Sequence, residues 1–259
     1  MRVSVIVRMV MSIIIILSVF GCKEAAKIEK LDDLNDKTFG VITGTTMDEA
    51  AAEKFAHAKF KYFDNTEDAI SAMRAKKIDA VLEDEPFLRI LSALNKDLKL
   101  LDGVLSEDNY AFAVAYGDEK LLEQVNTVFT DLKNSGTFYQ IIERWFPEYG
   151  KERKLPSFEL SDKNGTLIFG TSSITEPFTY RDEKGDLVGI DIELAYRVAE
   201  ALEMDLTIID MQFGALIPSL MSHRVELIGA CITITPERAE RIKFTQPIYK
   251  GGIGVITLK

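Results

Sequence analysis

The sequence is short of the residues from which most catalytic and metal sites are built. Among 259 residues there are two histidines, two cysteines and one tryptophan. His57 and His223 stand beside charged or alanine-rich helical positions, which reads as surface placement. No Ser-His-Asp set, HExxH pattern or Cys/His metal cluster can be assembled, and the phosphate-cradling patterns GxxxxGK[ST] and GxGxxG are missing. Positive charge is in deficit too: Lys plus Arg total 31 against 41 for Asp plus Glu, a net −10. Such a field repels phosphate backbones and argues against nucleic-acid binding. The one long apolar run, residues 9–20, is shorter than the roughly 20 residues that a membrane-spanning helix needs. What remains is ordinary globular composition, 47% hydrophobic and 28% charged, which excludes disordered and collagen-like classes. The length suits one large domain or two modest ones, no cofactor or metal is expected, and the partners are small molecules or proteins.

Residues 1–21 carry Arg2 and Arg8, no acid, and the short apolar run, which reads as an export signal. Their end, Leu17-Ser18-Val19-Phe20-Gly21-Cys22, is similar to a bacterial lipobox, which implies cleavage before Cys22, lipidation of its thiol, and an exported lipoprotein on a periplasmic or cell-surface membrane face. A short N-terminal anchor helix with an incidental cysteine is the alternative. With Cys22 lipidated, Cys231 has no disulfide partner, so the fold rests on its core alone.

Strand and helix patterns alternate beyond residue 30. Strands are expected at 38–42, 59–63, 80–82, 98–101, 110–115, 166–170, 187–190, 205–209, 227–230 and 253–258. Helices are expected at 47–56, 66–75 with Asn65 as cap, 86–95, 119–134, 137–145, 192–202 and 213–222, with a short one from Pro236. This is an α/β pattern with mixed, mostly parallel sheets. Residues 147–165, rich in charge, proline and glycine, read as a linker.

Ligands of open α/β sheets bind beyond the carboxyl ends of the strands, and three turns there are unusual. Gly44-Thr45-Thr46 offers backbone and hydroxyl donors to an anion, or is simply a helix cap. In Thr233-Ile234-Thr235-Pro236-Glu237-Arg238, Thr235 fits the N-cap and Pro236 the first helical position. Arg238 then opposes the helix dipole, which points to an anion there unless a nearby Glu pairs with it. Glu83-Asp84-Glu85-Pro86 ends an apolar strand with three acids, which would receive an ammonium or form a solvated cap. Together an anion cradle and an acid suit an α-amino acid zwitterion.

Gly165 to Lys259 resembles the first half of the bacterial extracellular solute-binding proteins of the polar amino acid type (family 3), which serve ABC importers. The resemblance lies in Glu176-Pro177-Phe178, Gly189-Ile190-Asp191-Ile192-Glu193-Leu194, Phe213-Gly214-Ala215-Leu216-Ile217-Pro218, Ile232 to Arg238, and Phe244-Thr245-Gln246-Pro247-Ile248-Tyr249. Residues 31–146 resemble the second half, through Leu31-Asp32-Asp33-Leu34, Gly40 to Thr46, Ile78 to Asp84 and Arg144-Trp145-Phe146. The resemblance implies a two-lobed periplasmic-binding-protein-like fold (type II), with the order of the halves reversed as in a circular permutant. The small lobe is then 31–109 plus 252–259, after a linker at 22–30. The large lobe is 110–251, with 147–165 joining the family's usual ends. A piece of a longer tandem protein gives the same order.

Carried over residue by residue, Arg238 and Thr233 resemble the family's carboxylate clamp, aided by Thr46 from the other lobe, and Asp84 resembles the acid that takes the ammonium. Phe213 matches an aromatic that packs on the ligand. Thr175 stands where many members have a second aromatic, and Cys231 where a glycine is usual. The resemblance implies capture of an amino-acid-like solute for an ABC permease. An enzyme of the cyclohexadienyl dehydratase type, with Glu83 or Glu176 as general acid, and a solute-sensing signalling protein are the alternatives.

Overall fold

Residues 27–149 and 152–259 are described by the structure, a computed structural model; the expected export signal at 1–21 and the expected lipidation site Cys22 lie outside them. The chain runs through β1 (Thr38–Ile42), α1 (Met47–Lys54), β2 (Lys59–Phe63), α2 (Thr66–Arg74), β3 (Ala80–Asp84), α3 (Glu85–Leu94) and β4 (Leu98–Leu100). It continues through β5 (Asp108–Tyr110), β6 (Ala113–Val114), α4 (Glu119–Asn134), α5 (Thr137–Trp145), β7 (Thr166–Thr171), β8 (Tyr180–Arg181), β9 (Leu187–Val188) and α6 (Ile190–Ala201). β10 (Asp205–Asp210), α7 (Leu216–Met221), β11 (Leu227–Ile228), α8 (Pro236–Ala239), β12 (Lys243–Phe244), β13 (Tyr249–Gly251) and β14 (Ile253–Leu258) follow. The expected caps form: Asn65 Oδ1 accepts from Asp68 N–H at 2.9 Å, and Thr235 Oγ1 accepts from Arg238 N–H at 3.1 Å.

Two five-stranded mixed sheets organise two lobes, in the orders β2-β1-β3-β14-β4 and β10-β7-β11-β6-β12. In the first, β1 runs parallel to β2 and β3, while β14 lies antiparallel between β3 and β4. Phe39, Val41, Leu82 and Val255 fill its core. In the second, β7 runs parallel to β10 and β11, and β6 is antiparallel to β11 and β12. Phe112, Phe129, Trp145 and Phe169 pack there.

The strand expected over 110–115 is two strands, because the chain changes sheets within it. β5 pairs with β13, Tyr110 opposite Tyr249, whereas β6 belongs to the large-lobe sheet. Between them Ala111 N–H donates to Ile232 O at 3.0 Å. Thus β5 and β13 form a two-stranded connection between the lobes, anchored by Tyr110, Phe178 and Tyr249 in mutual aromatic contact. The helix expected from 213 begins as a 3-10 turn at Phe213–Ala215, and α6 starts two residues earlier than expected.

Gly189 explains that earlier start. Its φ of +127° is open to glycine, and a Cβ there would lie 2.2 Å from Phe178 O. The close approach lets Ile190 and Asp191 N–H donate to Pro177 O and Phe178 O, which satisfies amides that a helix start leaves unpaired. Three residues into α6, fully buried Glu193 accepts from Arg144 at 2.7 and 2.8 Å, from Trp145 Nε1 at 2.8 Å and from Arg197 at 2.8 Å. Two motifs separated in sequence are thereby locked together.

Candidate functional site

Strand ends of both lobes converge on one small cavity. The first lobe supplies Thr46 after β1 and Glu83 and Asp84 at the end of β3. The second supplies Thr175 after β7, Phe213 after β10, and Cys231, Thr233 and Arg238 after β11. All seven residues expected to contact ligand therefore line the same space. Its volume is about 20 Å³, room for about one water. A neighbouring cavity of about 270 Å³ shares Thr46, Phe213 and Arg238 and adds Glu49, Glu237 and Arg241.

Arg238 is buried, and its position on α8 is explained by what the guanidinium meets. Nη1 donates to Thr233 O at 3.0 Å, Nη2 donates to Gly44 O of the other lobe at 3.1 Å, and the Phe213 ring lies 5.5 Å from its central carbon. Burial pulls its pKa down, while Glu49, Asp84, Glu237 and Asp108 pull it up. These two bonds use two of the five donors of the fork. The segment carrying Thr233 and Arg238 is held to the lobe connection, since Ile234 N–H donates to Asn109 O at 2.9 Å.

On the other side of the cleft, Thr45 Oγ1 bonds to Ile42 O at 2.7 Å, whereas the Thr46 side chain makes no capping bond to α1. Gly44, with φ +84°, lets the two lobes meet: a Cβ there would come within 2.8 Å of Gly214 Cα.

The floor is acidic. Asp84 accepts a short hydrogen bond from Tyr110 Oη, which itself accepts from Gly252 N–H at 3.1 Å. Glu83 Oε2 accepts from Thr66 Oγ1 at 2.6 Å and Oε1 from Asp84 N–H at 3.1 Å. Asp191 Oδ2 accepts from Cys231 N–H at 2.9 Å, while its buried Oδ1 has no partner. Cys231 adopts φ +56°, a left-handed conformation that a glycine takes without strain.

Loss of hydration raises all three acids: Asp191 to about 7, and Glu83 and Asp84 well above the usual carboxylate range, with Asp84 adding to the shift of Glu83. Folded-state values above the unfolded ones mean that this cluster contributes stability that is present in full below pH ~4 and is lost as pH rises through neutrality. We therefore expect the wild-type protein to lose stability between pH 5 and 8 relative to Glu83→Gln, by up to about 1.4 kcal/mol per pH unit per proton. Urea unfolding of both proteins across that range, measured without added amino acids, is the check; parallel curves would contradict it.

Sequence reasoning missed Tyr110 and Asp191. Tyr110 was visible as an aromatic at the lobe crossing and Asp191 as an acid at an apolar helix start; their contacts were not.

Two lobes joined by paired strands, with a polar cleft built from the strand ends of both, define a bivalve ligand-binding fold. The match to bacterial extracellular solute-binding proteins, family 3, covers residues 28–148 and 167–259, and the chain belongs to that family. The chain is 33% identical over 94 residues to the lysine/arginine/ornithine-binding periplasmic protein of Escherichia coli K12, covering 36% of each. It is 34% identical over 93 residues to a probable amino-acid ABC transporter-binding protein of Haemophilus influenzae, again 36% of each. The matched part thus spans about a third of the length of these relatives. Among solved structures, a mutant of ArgBP from T. maritima is similar, with 40% identity, 30% of this chain and 34% of that one covered, and a TM-score of 0.30.

Proposed function

We propose that this protein captures an α-amino acid or a closely related small polar solute between its lobes and delivers it to the permease of an ABC importer. In this reading Arg238, Thr233 and Thr46 hold the carboxylate, Asp84 takes the ammonium, and Phe213, Thr175 and Cys231 shape the space for the side chain. The observation that carries it is the convergence of all seven on one cavity from opposite lobes. The present volume of about 20 Å³ is too small for such a solute, so entry requires the lobes to swing apart about β5 and β13 and close again. The small lobe comprises 31–109 plus 252–259, the large lobe 110–251. The order of the motifs, with 165–259 resembling the family's first half and 31–146 its second, is the ground for reading the chain as circularly permuted.

A thermal-shift screen of the purified protein against the twenty common amino acids tests the reading. At about 100 times the dissociation constant a ligand adds about 2.7 kcal/mol, on the order of 5–10 °C for a chain of this size. A flat panel would overturn the amino-acid reading.

Closure also makes Gly44 sensitive. Gly44→Ala forces a Cβ against Gly214 in the closed arrangement and is expected to weaken amino-acid binding at least about tenfold, or ~1.4 kcal/mol. Unchanged affinity by calorimetry would show that the bound form does not bring these backbones together.

Anchoring through Cys22 belongs to the same proposal. Palmitate labelling in the producing bacterium, abolished by Cys22→Ser, is the expected result.

A further inference from the structure

Of the four buried carboxylates among the described residues, Glu193 is gripped by two arginines. Glu83, Asp84 and Asp191 are not. They gather around Cys231, whose thiol lies against Asp84 and feels all three. Arg238 is the one buried cation among the described residues, and two of its donors are committed to carbonyls. The charged groups acting most strongly on these residues besides one another are acids: Glu67 beside Glu83 from α2, Asp108 from β5, and Glu49 and Glu237 around Arg238; Arg241 lines the adjoining cavity. Three ionised carboxylates against one guanidinium in a dry floor would cost several kcal/mol for each uncompensated charge. The cluster resolves this by retaining protons.

The geometry singles out which acid carries the exchangeable proton. Asp191 does not line the cavity, so it does not meet the solute directly. Asp84 receives the Tyr110 hydroxyl proton, because Gly252 N–H occupies the acceptor side of that hydroxyl; this favours the carboxylate form. Glu83 lines the cavity, is 1% exposed, and faces the Thr66 hydroxyl, which donates to a carboxylate or accepts from a carboxylic acid equally well. Of the two acids that line the cavity, Glu83 is the one whose hydroxyl partner serves both protonation states; for that role Asp84 has only the weakly bonding Cys231 thiol.

We propose that Glu83 is the proton carrier of this site, and that the ammonium of an incoming amino acid at Asp84 displaces the Glu83 proton to solvent. This rests on the amino-acid reading above. The ammonium adds one positive charge beside two coupled acids, which favours their ionised forms; loss of one proton keeps the charge at the acid pair constant, while the carboxylate of the solute is balanced separately by Arg238. Capture is then linked to pH: affinity rises with pH by up to about tenfold per unit for each proton released, and acidification favours release of the solute.

The test is titration calorimetry at pH 7, using the amino acid with the largest thermal shift in the twenty-member panel, in phosphate, imidazole and Tris, which differ in ionisation enthalpy. Close to one proton should leave per solute bound to the wild type, and less than about a third as many for whatever binding Glu83→Gln retains. An infrared difference spectrum of the wild type on adding the same amino acid should show loss of a protonated carboxyl band, so the test does not depend on the variant folding. Saturable binding with buffer-independent heat, or release undiminished in Glu83→Gln, overturns the exchange and leaves the capture reading standing. No binding of any of the twenty overturns both.

Discussion

Arg238→Ala is expected to weaken amino-acid binding by about 2–5 kcal/mol, the largest single effect on affinity. The guanidinium is buried and fixed by carbonyls from both lobes, at 3.0 Å to Thr233 and 3.1 Å to Gly44. It therefore meets a carboxylate without first having to be ordered. Alanine removes three things at once: the buried ligand charge loses its partner, Phe213 loses the cation over its ring, and the Gly44 turn loses a contact across the cleft. Arg238→Lys should also bind poorly, since one ammonium cannot reproduce two arms of a planar fork. Calorimetry that found a loss below about 1 kcal/mol for the alanine variant would remove Arg238 from the site.

Glu193→Ala should have the largest effect on stability, about 3 kcal/mol, with the melting temperature falling on the order of 6–12 °C. The carboxylate is fully buried and bonds Arg144, Arg197 and Trp145 Nε1. Its removal strands the indole donor and opens a gap between α5 and α6. The loss stays at the lower end for a broken buried pair because the two arginines are 25% and 20% exposed and can turn to water. A drop under about 1 kcal/mol in urea unfolding would mean that the arginines find full compensation elsewhere.

The sequence revealed most about elements whose cause is local. Asn65 and Thr235 cap helices as their positions imply, and the misfit of a cation at the start of α8 pointed to Arg238. The two-residue strands β8 and β12 and the three-residue β13 were missed, because such short pieces carry no periodicity and form by pairing with residues far away in the chain. The break between β5 and β6 was hidden for a similar reason: Tyr110 to Val114 is uniformly apolar, and the change of sheet is dictated by partners at 228, 232 and 249. Within the cavity, seven of the lining residues were legible from motif and charge, but the acid floor was not. Nothing in Glu83-Asp84-Glu85 says that the first two acids are buried and the third half-exposed; that follows from β3 lying inside the sheet and α3 beginning at its end.

Strand β14 sets a condition on the order of assembly. It fills the slot between β3 and β4, and its Thr257 hydroxyl reaches Asp79 O across 178 positions of chain. Until residues 253–258 arrive, β3 and β4 present facing backbone edges without a ladder, and the small-lobe core lacks Val255 and Ile256. Such long-range closure is slow, and the open slot invites strands from other chains. During synthesis the small lobe, made first, must therefore wait for the large one, so a peptide with the sequence Ile253–Leu258 supplied during refolding would compete for the slot and slow recovery of the native protein.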